Sequence, residues 1–251
     1  FNAATLTQIC NKLKKYPQWL EKAYFYPFDE PTSIEHLDEL AEMCERLKRL
    51  CPEIRIVIPF FMNVKYDSNT DEVDFLDQYL GIWCPKAPAW QEGWIADPLG
   101  KGYFGDRMAE QKEQGDKLWW YVCWEPGSPY CNLYGNEIGL DHVILFWQQY
   151  FYDVDGFLYW STTHWGGTSD PWTDMATVKE LSPNVYGDGS LFYPGRNVGI
   201  EGPVASLRLE CIRSGIEDFD LLTMAEELFG REWVEEQVSK VTESVTRHTK
   251  D

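Results

Sequence analysis

Apolar positions along this chain alternate between helical and strand spacing. Leu6, Ile9 and Leu13 share one face, which predicts a helix over 4–15 that Pro17 breaks. Leu37, Leu40, Met43, Leu47 and Leu50 form the apolar side of an amphipathic helix over 35–50, ended by Pro52. Thr32 is its candidate N-cap, with Glu35 three residues on. Short apolar runs predict strands at 23–28, 54–59, 80–84, 117–124 and 156–160. Helical patterns recur at 108–114, ahead of Gly115, and at 140–152. Another begins over 204–212 and resumes at 221–228 after an interruption at Gly215, and 232–250 reads as a polar terminal helix. Phe75 to Tyr79 suits a single helical turn, 87–97 an aromatic loop, 161–173 a Gly/Thr/Ser/Asp/Pro loop, and 187–195 a hairpin or turn-rich excursion.

Strand and helix alternate throughout, which predicts parallel βα units and an α/β fold. No G-x-G-x-x-G follows a strand, so a dinucleotide-binding fold is disfavoured. Five strands are legible where a closed (β/α)8 TIM barrel needs eight. Either the barrel is incomplete or three strands escape the pattern; the chain opens on Phe1, not Met, which favours one barrel domain over 1–251 that lacks its N-terminal units.

Composition narrows the chemistry. The 251 residues carry a net charge of −19, which repels phosphate backbones and excludes nucleic acid as a natural partner. No apolar run reaches membrane-spanning length, so no membrane insertion is expected. The seven cysteines include no CxxC pair and no zinc spacing, so neither metal nor cofactor is expected. Cys84 and Cys123 sit in apolar strands as small buried side chains. This usage leans towards the cytoplasm, while a missing N-terminus leaves a secreted or cell-surface protein open. Aromatics reach 16%, with 12 Trp, many at or after strand ends. Flat side chains with a polar edge suit sugar rings. At least half of these Trp, Trp119 and Trp147 among them, are expected in the core.

The sharpest chemical signal is Asp29-Glu30, directly after the run Tyr24-Phe25-Tyr26-Pro27-Phe28. Catalytic side chains of α/β barrels collect at the C-terminal ends of strands. Two carboxylates among aromatics suit acid-assisted cleavage of a glycosidic bond. The competing reading is a loop whose acids favour the next helix's N-terminus.

At this point the sequence resembles a known family. The segments YFYPFDEP (24–31), GIWCP (81–85), WYVCWEP (120–126), GFLYWSTTHW (156–165), 187–195 and SLRLECIRSGIEDFDL (206–221) look like the catalytic domain of glycoside hydrolase family 123. Its known members include β-N-acetylgalactosaminidases. The resemblance implies a (β/α)8 barrel whose fourth strand carries the acid pair, so the five strands here would be numbers four to eight. It also implies a retaining, substrate-assisted mechanism in which the sugar's 2-acetamido oxygen is the nucleophile. Glu30 would then be the general acid and later the base, with its pKa raised by burial or by its neighbour's charge. Asp29 would stay ionised and hold the acetamido N–H. Both can reach one sugar only if the backbone bends over 28–31, because neighbours on a regular strand point to opposite faces.

Supporting roles are assigned more broadly. Asn63 is a sugar contact or a turn amide, and Tyr121 an acetamido contact or a core tyrosine. Trp83, Trp124 and Trp160 are candidate walls under the sugar, and His164 a candidate hydroxyl contact. Glu125 is a rival acid. Arg208, Arg213, Glu217 and Asp218 read as a structural ion-pair network. Three functions follow: a hexosaminidase on β-linked N-acetylgalactosamine, a conventional retaining glycosidase using Glu30 and Glu125, and a non-catalytic carbohydrate-binding fragment. A glycan is the expected partner in each.

Overall fold

A computed structural model describes residues 2–165, 168–176 and 185–249. The chain divides into two compact units, Phe1–Trp120 and Tyr121–Asp251. Among the described residues no helix is long and apolar enough to cross a membrane.

The first unit holds helices α1 (Ala3–Leu13), α2 (Pro17–Leu20), α3 (Ile34–Leu50), α4 (Glu72–Asp77) and α5 (Phe104–Glu113). Its strands are β1 (Tyr24–Phe25), β2 (Arg55–Phe60), β3 (Ile82–Pro85) and most of β4 (Lys117–Val122). The pairs β1–β2, β2–β3 and β3–β4 are parallel. Pro17 both stops α1 and opens α2 at its first turn, where its missing N–H costs nothing. The cap of α3 is Ser33 rather than Thr32: its Oγ accepts from the His36 N–H at 3.2 Å. The apolar stripe of α3 buries Leu37, Leu40, Cys44 and Leu47, and β2 is buried at every position after Arg55.

The second unit holds α6 (Gly139–Phe151), β5 (Gly156–Tyr159), the antiparallel pair β6 (Phe192–Pro194) and β7 (Pro203–Ala205), α7 (Leu207–Phe229) and α8 (Arg231–Val238). The principal sheet runs in the order β1-β2-β3-β4-β5, so its strands are neighbours in chain order. The expected five strands are therefore all present, though several are shorter than their apolar runs.

Two expectations at the helical end change. Gly215 does not interrupt α7, which is continuous for 23 residues. A Cβ there would lie 2.4 Å from Cδ2 of Phe146, so the glycine lets α7 lie directly against α6. The terminal helix ends at Val238, and 239–249 forms turns, with Thr242 bridged to His248. Residues 166–167 of the expected 161–173 loop, and Lys250, lie outside the described residues.

Candidate active site

The acid pair sits where β1 leaves the sheet. Only Tyr24 and Phe25 pair with β2, opposite Arg55 and Ile56. Pro27 has no N–H to extend the ladder. Tyr24 is 46% exposed, so β1 is not the doubly covered strand its apolar run suggests. The chain then bends at Asp29, and Glu30 takes φ 47°, a left-handed conformation uncommon for a residue with a side chain. The expected break in strand geometry is thus present, and it ends the alternation that would send the two carboxylates to opposite faces. The Glu30 N–H donates to the Pro59 carbonyl at 3.2 Å, which fixes the pair beside the C-terminal end of β2.

Asp29 is exposed and Glu30 half-buried. The Tyr26 hydroxyl donates to Asp29 Oδ1 at 2.5 Å. Partial burial and then the Asp29 carboxylate hold the Tyr26 phenol far above its ordinary range, so it remains a donor. Downstream, the Thr32 N–H donates to His36 Nδ1 at 3.2 Å, and Phe28 packs on the His36 ring with centroids 5.4 Å apart. The first turn of α3 therefore grips the segment from both sides of the acids.

The other candidates in this unit take structural places. Trp83 is fully buried and its Nε1 donates to Asp116 at 2.9 Å, so it is a core side chain with no face for a sugar. Asn63 is buried too: Nδ2 donates to Asp71 at 3.2 Å and Oδ1 accepts from the Val73 N–H at 3.4 Å. Arg107 clamps the fully buried Asp71 in a bidentate pair at 2.8 and 2.9 Å. Burial works to raise the Asp71 pKa, but Arg107 and the Asp74 N–H outweigh it and bring it down to about 2. Next to it, burial lifts the Glu72 carboxyl to about 8. One residue was missed. Lys86 directly follows β3 and is buried with Nζ 4.9 Å from the centre of the Phe61 ring. A lysine next to a strand end was the available signal.

In the second unit, Tyr121 is buried on β4. Trp124 is half-buried against Tyr134 and Val185, and Glu125 is exposed. Asn132 holds this segment, its Nδ2 donating to the Cys123 and Pro126 carbonyls at 2.8 Å each. Trp160 and His164 do come together, with ring centroids 4.6 Å apart. The Trp160 indole is 42% exposed and is held at its rim by Nε1 donating to Asp188 at 3.0 Å. Asp188 also accepts from the Tyr159 hydroxyl at 2.9 Å and, being fully buried, has its pKa raised by desolvation. Gly189 is required here: a Cβ would lie 2.4 Å from Cζ2 of Trp160. Asp188 was also missed, though the Gly-Asp-Gly turn marked its place.

The ion-pair reading around α7 needs correction. Arg208 is buried and donates to the carbonyls of Leu133, Gly187 and Ser190 and to the Tyr193 hydroxyl, holding loops by their backbone. Asp218 accepts from Trp147 Nε1 at 2.9 Å. Of the expected pairs, Arg213 with Glu217 is present at 3.7 Å among the described residues, and Arg213 also pairs with Glu210 at 2.8 Å, a partner outside the expected network. Trp119 and Trp147 are half-buried, while Trp83, Trp90 and Trp120 are in the core. All seven cysteines are free thiols, and Cys84 and Cys123 are buried as expected.

Comparison with known proteins agrees with the resemblance. No curated protein matches the chain. A solved structure of a family 123 glycoside hydrolase from Clostridium perfringens, described in connection with glycolipid glycan hydrolysis, is 17% identical and superposes with a TM-score of 0.65. The match covers 96% of this chain and 38% of that one, and at this identity it speaks for the fold. The family model "Glycoside hydrolase 123, catalytic domain" matches residues 2–225. By that match the chain belongs to glycoside hydrolase family 123.

Proposed function

We propose that this chain is the catalytic part of a retaining glycosidase that releases β-linked N-acetylgalactosamine with the substrate's own acetamido group as nucleophile. Its five strands would be the fourth to eighth of a (β/α)8 barrel. The observation that carries the reading is the left-handed turn at Glu30, which breaks strand alternation at the acid pair beside the end of β2.

The acetamido oxygen attacks the anomeric carbon, and the bond to the leaving oxygen breaks as Glu30 gives that oxygen its proton. Asp29 accepts a hydrogen bond from the acetamido N–H and offsets the positive charge that develops on the ring formed. Tyr26 fixes one Asp29 oxygen and leaves the other for this contact. Water then attacks the anomeric carbon while Glu30, now a carboxylate, takes its proton, and the ring reopens to the acetamide. Retention follows from two inversions.

A thiazoline analogue of the N-acetyl sugar imitates the cyclic intermediate, and the expected result is competitive inhibition with a Ki at least about 100-fold below the substrate's KM. A sugar covalently trapped on Glu125 or Asp29 by a fluorosugar would contradict the mechanism and support a conventional carboxylate nucleophile.

A further inference from the structure

Outside the acid pair, three donors of different kinds converge in the second unit. Cys131 lies in the segment between β4 and α6, Asp141 in the first turn of α6, and His248 in the turns after α8. Their ligand atoms all lie within 4.8 Å of one another. His248 Nε2 is 3.7 Å from Cys131 Sγ and 3.3 Å from Asp141 Oδ1. The imidazole and carboxylate are 2% and 5% exposed, and Cys131 is 2% exposed.

We propose that Cys131, Asp141 and His248 are three ligands of a zinc ion that fastens the C-terminal turns to the start of α6. Thiolate, imidazole and carboxylate together are a zinc-type donor set. The spacing fits as well. Tetrahedral zinc, with bonds of about 2.3 Å to sulfur and about 2.0–2.2 Å to nitrogen and oxygen, sets S···N near 3.6 Å and N···O near 3.3–3.4 Å. A thiolate, a carboxylate and a neutral imidazole around a divalent cation carry no net charge, which suits a buried place. A hydrolytic Cys-His-Asp triad does not fit, because thiol and carboxylate would have to meet opposite ring nitrogens. Here both face Nε2.

The tail is built to bring His248 back. Glu243 N–H donates to the Arg247 carbonyl at 2.8 Å, and Thr249 N–H to that of Val241 at 2.8 Å. Gln148 on α6 donates to the Ser244 carbonyl at 3.0 Å, and Val245 is buried. His248 Nδ1 has no hydrogen-bond partner among the described residues, so the ring is held polar-side through Nε2 alone. The family match ends at residue 225, so His248 lies outside what that match covers. The ligands are ten and 107 positions apart, and no sequence spacing marks them.

The test uses the whole chain, loaded with zinc and then desalted, with metal counted by mass spectrometry. One zinc per chain is expected, with retention lost in Cys131→Ser and His248→Gln. Cobalt loading should give a thiolate-to-cobalt charge-transfer band in the native protein and in His248→Gln at high cobalt, but not in Cys131→Ser. Chelation should lower Tm by roughly 5–10 °C relative to protein in free zinc at about a hundred-fold excess over Kd. Should Cys131→Ser fail to fold by circular dichroism, His248→Gln and the cobalt band of the native chain decide. Absence of retained zinc and of the cobalt band, or retention unchanged in folded variants, would overturn the proposal. Unchanged retention would point to ions on the acidic surface.

Discussion

Glu30 is held in a backbone conformation that costs an L-residue about 1–2 kcal/mol relative to the right-handed regions. Strain of this kind persists where surrounding contacts enforce it, here the bond to Pro59 and the grip of the first turn of α3. Glycine would remove the strain and lose roughly 0.5–1 kcal/mol of unfolded-state advantage. Glu30→Gly should therefore raise Tm by about 1–4 °C while abolishing hydrolysis. A fall in Tm on thermal denaturation would show that the Glu30 side chain contributes more to the fold than the turn costs. The acids and their bend were legible because an apolar run, two prolines and a helix start bracket them. Trp83 and Asn63 were not, because a strand-end position does not say whether a side chain faces solvent, the core or a neighbouring helix. Asp188 escaped because its burial depends on Tyr159 and Trp160, nearly thirty residues away.

At the scale of elements, Gly215 shows how packing overrides propensity. Alanine is worth about 1 kcal/mol more than glycine in a helix interior. A methyl group there would meet Phe146 on α6 at 2.4 Å, and overpacking typically costs 1–3 kcal/mol. Gly215→Ala should lower the free energy of unfolding by roughly 1 kcal/mol, read as a lower urea midpoint at unchanged m-value, and a raised midpoint would contradict the close approach of α6 and α7. The same residue explains why α7 read as two helices: sequence offers a breaker, and only the partner helix reveals a spacer. The junction of β2 and α4 makes a pH-dependent contribution. Glu72 has a folded pKa of about 8 against an ordinary value of 4.5, so its effect on stability is absent at low pH. From about pH 4.5 to 8 the unfolded chain ionises first, and stability falls as pH rises, by up to about 1.4 kcal/mol per unit. Asp71 acts oppositely, but only below about pH 4. Glu72→Gln should flatten the decline between pH 5 and 8 and stabilise the protein at pH 8. An unchanged slope in denaturation across that range would exclude Glu72 as its source.

For the whole molecule, the alternation of apolar spacings was enough to give an α/β chain with five strands in sequential order, because parallel βα units leave their period in the sequence. The division into two units was not legible, because its boundary falls inside the continuous apolar run of β4. Family membership makes the chain a glycoside hydrolase of family 123, and the proposed reaction is what would tie fold, acid pair and turn together. The most direct measurement is the leaving-group dependence of Glu30→Gln on a series of aryl N-acetyl-β-galactosaminides. If Glu30 donates the proton, the variant should lose about 10²–10⁴-fold in kcat/KM on poor leaving groups and much less on the most activated ones. An equal loss across the series would contradict the assignment of Glu30 as the general acid.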